Sequence, residues 1–171
     1  RKYYSLTRKG WRLINDGVPQ HVRVGATAGV ACRHLAREDA DTVGMIGSGG
    51  MARTYAEAFA TVRDLEEIRV YSPTPSHRRA YADEMAAELD VDVEAVDATE
   101  AAVRGADIVA CCTDASHAVF DDPDWLEEGM FLVDVSPVEV DESVLEQVDK
   151  KYPTTSRSYK DQLIGTGVGR E

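Results

Sequence analysis

Thr42-Val43-Gly44-Met45-Ile46-Gly47-Ser48-Gly49-Gly50-Met51-Ala52 is the stretch that decides the fold. A short apolar run ends in glycines, as a buried parallel strand does when it turns into a helix. Gly50 to Val62 then reads as that helix, with Tyr55, Ala56, Phe59, Ala60 and Val62 on or near one face. The turn has the form G-x-G-x-x-A. Gly47 permits the tight turn, Gly49 lets the backbone approach a pyrophosphate, and the small Ala52 allows close packing of helix on strand. Unpaired N–H groups and the positive dipole end of the helix then face the phosphates. Gly47, Ser48, Gly49, Gly50, Met51 and Ala52 are therefore the first candidate cofactor-binding residues.

Outward from this turn, the chain alternates strands and helices. Ile68 to Ser72 is a second strand, closed by Pro73 and Pro75, and Ser76 is the expected N-cap of a helix through Leu89. Val93 to Val96 is a weak third strand, Thr99 the expected cap of a short helix to Arg104, and Gly105 its C-terminal stop. Asp107 to Cys112 and Met130 to Val135 are the fourth and fifth strands, with one helical turn at 123–126 between them. Asp141 is the expected cap of a following helix. This alternation predicts an α/β domain, a Rossmann-type doubly wound parallel sheet, over about Asp41 to Val148. Gly25 to Arg37 is Ala-rich and reads as a lead-in helix, and 149–171 reads as a return segment. A second glycine cluster, Gly165 to Gly169, lacks a following helix and is read as a loop.

The second strand bears on which dinucleotide binds. A site for NAD places an acid there to hold the ribose hydroxyls. Here the strand ends Val70-Tyr71-Ser72, followed by Thr74, Ser76, His77, Arg78 and Arg79. Hydroxyl and guanidinium donors suit a 2′-phosphate, so Ser72, Thr74, Arg78 and Arg79 favour NADP(H) over NAD(H). Cys112, Thr113 and Asp114 close the fourth strand at its carboxyl end, where open α/β sheets bind ligands, and Thr113 is expected near the nicotinamide half.

Composition narrows the class further. The chain has 171 residues and a net charge of −12, from 31 acidic and 19 basic side chains, 14 of them Arg. That balance argues against nucleic acid, which needs a basic face. The scarcity of Lys fits a salt-rich cytoplasm or a GC-rich genome. No apolar run approaches a membrane span and no leader opens the chain, so the expectation is no membrane partner. Three cysteines without C-x-x-C spacing predict a reduced, cytoplasmic protein with small buried thiols and no metal site. Both ends read as cut, with missing segments expected at both ends and internal gaps considered as well.

With the fingerprint in place, the residues around it resemble the ornithine cyclodeaminase/μ-crystallin family. The motifs are Arg23-Val24-Gly25-Ala26-Thr27-Ala28-Gly29, Leu35-Ala36-Arg37, Gly47 to Arg53, Arg69 to Ser72, Ala102 to Val109 and Trp125 to Met130. The resemblance runs from about Leu13 to Val148, and Gly169-Arg170 matches a further family element. It implies a two-part subunit: a cofactor-binding domain at 25–148, and fragments of a second, substrate-binding and dimerisation domain at 1–24 and 149–171. It also implies a homodimer acting on a small amino- or imino-acid substrate by hydride exchange at the α-carbon.

The family arginine that grips the substrate carboxylate maps onto Arg23. The family's acid/base lysine has no convincing match, since Lys2 and Lys9 lie in an unlike stretch. The aspartate loop of the cyclodeaminases is also missing, for the chain runs Val133-Asp134-Val135-Ser136-Pro137-Val138-Glu139. The catalytic residue is therefore unassigned, with Asp134, Glu139 and His21 as candidates; His21 on a strand with Arg23 would share its face. The missing loop favours an amino-acid dehydrogenase or ketimine reductase. An ornithine cyclodeaminase, a non-catalytic NADPH-binding protein of μ-crystallin type and an unrelated Rossmann reductase are the alternatives.

Overall fold

The computed structural model describes residues 17–152. Lys2, Lys9, the Gly165 to Gly169 cluster and most of the two segments expected to belong to a second domain lie outside the described residues. Five parallel strands form one sheet: β1 (Thr42–Ile46), β2 (Glu67–Tyr71), β3 (Asp92–Ala95), β4 (Ile108–Cys111) and β5 (Phe131–Asp134), in the order β3-β2-β1-β4-β5. Val43 sits between Ile68 and Ile108, and Ile46 between Tyr71 and Cys111. The helices are α1 (Gly17–Leu35), α2 (Gly50–Val62), α3 (Pro75–Leu89), α4 (Thr99–Val103) and α5 (Glu142–Gln147), with one 3-10 turn at Pro123–Trp125.

Alternation along the strands fills both faces. Val43, Met45, Ile68, Val70, Ile108 and Ala110 meet Tyr55, Phe59, Tyr81 and Met85 from α2 and α3, and Cys32 from α1. Ile46, Val109 and Cys111 pack on the other face against Val103, Phe120, Val140 and Val144. Burial on both sides is what makes β1 and β4 read as unbroken apolar runs. The doubly wound sheet inferred from the sequence is the fold observed.

Two helix starts differ from expectation. Pro75 occupies the first turn of α3, where its missing N–H costs nothing, so Thr74 and not Ser76 stands at the N-cap. Likewise Ala98 precedes α4, and Thr99 is its first residue. Asp141 does cap α5, its carboxylate accepting from the Ser143 N–H at 2.9 Å.

α1 brings the larger correction. Among the described residues it already runs from Gly17, upstream of Gly25, so His21 and Arg23 lie on a helix and residue 24 falls within it. Residues two apart on a helix do not share a face, so the common face expected of a strand is lost. α1 runs alongside α2 in the same direction. The Thr54 hydroxyl donates to the His21 carbonyl at 3.0 Å near its start, and Arg63 donates to the Cys32 carbonyl at 2.9 Å near its end. A Cβ on Gly25 would lie 2.7 Å from the Thr54 carbonyl oxygen, so only glycine allows this approach.

Candidate functional site

Gly47 leaves β1 with φ +111°, a backbone conformation reserved for glycine. A Cβ there would also collide with the Cys112 carbonyl oxygen and lie 3.3 Å from the Thr113 methyl. The exits of β1 and β4 are therefore in van der Waals contact, at the point where the strand order reverses direction. That switch point is where open α/β sheets take their ligands. A Cβ on Gly49 would meet nothing within 4 Å, so the backbone at the start of α2 is open to an approaching phosphate. The fingerprint thus fits a dinucleotide on geometry as well as on sequence.

Arg53, which sequence reasoning passed over, stiffens this turn from beneath. It donates to the Ser48 carbonyl at 2.7 Å and the Gly49 carbonyl at 3.1 Å, lies over the Tyr81 ring, and pairs with Glu84. The Glu84 hydrogen bond raises the Arg53 pKa, so its charge is secure. The buried Tyr81 hydroxyl donates to the Ala52 carbonyl at 3.1 Å, tying α3 to the same turn. The only sequence signal was a basic residue directly after the fingerprint.

At the exit of β2 the Ser48 hydroxyl lies 2.9 Å from that of Ser72. Arg78 and Arg79 then separate in role. Arg78 is only 6% exposed, pairs with Asp97, donates to the Ser72 carbonyl at 2.9 Å and stacks over Tyr71. Arg79 and Thr74 are exposed, and the Arg79 guanidinium has no partner among the described residues.

The exits of β4 and β5 hold the three catalytic candidates' clearest contrast. Asp134 ends β5 opposite Cys111, half-buried. Glu139 is completely buried. Its Oε1 accepts from the Thr113 N–H at 2.5 Å and the Thr113 hydroxyl at 2.8 Å. Its Oε2 accepts from the Val135 N–H at 2.9 Å and the Ser136 N–H at 2.7 Å. Both oxygens are occupied, which leaves Glu139 no free lone-pair direction for proton transfer to a substrate. Asp114 stands exposed beyond this cluster. Burial pushes the Cys111 and Cys112 thiols well above their ordinary value, with Glu139 adding to the effect, so neither is a thiolate nucleophile.

His21 packs on the fingerprint itself. A Cβ on Gly50 would lie 2.7 Å from its Nδ1, which places the imidazole against the first turn of α2. Arg23, two residues on, is exposed, and its side chain has no partner among the described residues. The structure therefore brings His21 to the glycine turn, while Arg23 is exposed. Sequence had no signal for the His21 contact, because it depends on how α1 docks.

Fold and turn together define a dinucleotide-binding α/β domain. The family model "Ornithine cyclodeaminase/mu-crystallin family" matches residues 13–163, and the chain belongs to that family. It is 36% identical over 108 residues to a Delta(1)-pyrroline-2-carboxylate reductase of Bacillus cereus, covering 63% of this chain and 33% of the relative. It is 32% identical over 96 residues to an ornithine cyclodeaminase of Agrobacterium fabrum, covering 56% and 27%. The solved Delta(1)-pyrroline-2-carboxylate reductase of Thermococcus litoralis, in complex with NADH and L-proline, superposes with a TM-score of 0.75 at 29% identity, over 84% of this chain and 46% of that one. The matched region spans about a third of the curated relatives' length. Among the described residues no helix is long and apolar enough to cross a membrane.

Proposed function

We propose that this chain carries the nicotinamide-dinucleotide domain of a cytoplasmic, homodimeric enzyme that exchanges hydride at the α-carbon of a small amino or imino acid, as a dehydrogenase or ketimine reductase. The observation that carries the reading is the switch point at the β1 and β4 exits, where the backbone of Gly49 is open and the neighbouring Thr113 is held by Glu139. The family supports the substrate class, since relatives include a reductase of a cyclic imino acid. The bound nicotinamide would supply or accept the hydride. This chain's residues would hold it: Gly47 to Ala52 at the pyrophosphate, Ser72, Thr74 and Arg79 at the adenosine ribose, and Cys112, Thr113 and Asp114 at the other half. Arg23 would hold the substrate carboxylate, with the second domain completing the pocket from both chain ends. The segment Val133 to Glu139 lacks the aspartate loop of the cyclodeaminases, which favours the redox reading over ammonia loss with ring closure.

NADP(H) is the preferred cofactor on electrostatic grounds. No acid ends β2, and the nearby Asp97, which could have held a ribose hydroxyl, is paired with Arg78. With Arg78 committed, Arg79 is the free guanidinium for a 2′-phosphate. Fluorescence titration of the full chain tests this. NADPH should bind about tenfold or more tightly than NADH, and Arg79→Ala should remove most of that difference and leave NADH unchanged. Tighter NADH would overturn the preference, and binding of neither would overturn the dinucleotide reading.

A further inference from the structure

Glu139 is the one charged side chain among the described residues that is completely buried, and the proposed chemistry does not use it. Among those residues no Lys, Arg or His pairs with it; four N–H and O–H donors alone compensate its charge. Its two oxygens face different loops, one the exit of β4 at Thr113 and the other the exit of β5 at Val135 and Ser136. Its backbone joins a third segment, the carbonyl accepting from the Val119 and Phe120 N–H groups at 2.8 and 3.0 Å. Burying a carboxylate is costly unless its hydrogen bonds are complete, so these loops are held to one relative position. Thr113 is in turn packed on Gly47. The constraint therefore runs from Glu139 through Thr113 to the Gly47 turn.

We propose that Glu139 is a positioning residue: its carboxylate locks the β4 and β5 exits together and so fixes the wall against which the nicotinamide half of the cofactor lies. The inference rests on the dinucleotide reading above. In a doubly wound sheet the adenosine half lies over β1 and β2, and the other mononucleotide lies over β4. Loosening the β4 exit should therefore act on one half of the cofactor and spare the other. Glutamine at 139 keeps the shape but turns an amide toward N–H donors, so one loop loses its acceptor.

Calorimetric titration of the full chain with NADPH and with 2′-phospho-ADP-ribose, the same molecule without its nicotinamide ring, tests this; NADH and ADP-ribose serve if NADH is the tighter cofactor. Glu139→Gln should weaken the complete cofactor about tenfold and the fragment less than about twofold. Glu139→Asp, which keeps the charge but is too short to reach both loops, should show the same selectivity at about threefold. It decides the matter if the glutamine variant does not fold. Equal losses for cofactor and fragment, or no loss for either, would overturn the positioning role while leaving the dinucleotide reading intact. A wild type that binds neither compound would overturn that reading and the role of Glu139 with it.

Discussion

Two carboxylates, Asp107 and Glu139, clasp opposite edges of the sheet, and they do so differently. Asp107 stands just before β4 at the amino edge. It accepts from the Asp41 N–H at 3.0 Å and the Thr42 N–H at 3.3 Å and pairs with Arg37. Glu139 stands at the carboxyl edge, more deeply buried, with four donors and no cation among the described residues. The amino edge is joined as an ordinary half-exposed ion pair is joined, by groups that serve stability. The carboxyl edge is joined by neutral donors alone, which fixes geometry without placing a basic side chain beside the glycine turn. Edges of one sheet thus divide labour: one holds the strands in register, and the other holds them ready for a ligand.

Substitution at the floor of the carboxyl edge is the severest test of this division. Gly47→Val should destabilise the fold by roughly 3 kcal/mol through a forbidden φ and a clash with Cys112, and should abolish dinucleotide binding. Urea unfolding with a cofactor titration measures both, and near-normal binding would break the comparison at once. Asp107→Asn comes next, with about 1–2 kcal/mol lost at neutral pH and cofactor affinity unchanged.

The acid limb of that variant sharpens the point. Burial alone would raise the Asp107 carboxyl, but two backbone N–H donors and the Arg37 guanidinium outweigh it and hold the group below the usual carboxylate range. A lowered folded pKa gives stability that is present above the unfolded value and lost as pH falls below about 4. Wild type should therefore lose stability more steeply than Asp107→Asn in that range, as thermal melts against pH would record. Tyr81→Phe should have the smallest effect, about 1 kcal/mol, by removing the side-chain hydrogen bond to the Ala52 carbonyl at 3.1 Å. Chemical denaturation measures it, and a loss beyond about 3 kcal/mol would mean that α3 supports the turn more than one hydrogen bond can.

The sheet was legible because its signals are local. Thr42 to Ala52 gave the first strand, turn and helix, and the apolar runs at Ile68, Ile108 and Phe131 gave strands within a residue or two of their ends. The helix starts at Ser76 and Thr99 were misplaced by one or two residues, since capping competes with a neighbouring proline or alanine over a small energy difference. Arg78 and Arg79 looked equivalent as neighbours in sequence. Only α3's orientation buries one against Asp97 and leaves the other in solvent.

His21 and Glu139 mark where the sequence ran out. Each was read as a candidate catalytic group from its chemistry and its distance along the chain. Docking of α1 on α2 sets His21 against Gly50, and the return of the chain beneath β4 and β5 surrounds Glu139 with donors from residues as distant as Thr113.

By itself the sequence determined the class of fold, the glycine turn after β1 and the family, because hydrophobic period and glycine stereochemistry act over a few residues. Tertiary structure alone decided which arginine is free, which carboxylate is a clasp and where α1 brings its histidine. Those outcomes depend on burial and on partners far apart in the chain, and a side chain's chemical role follows from the groups that surround it.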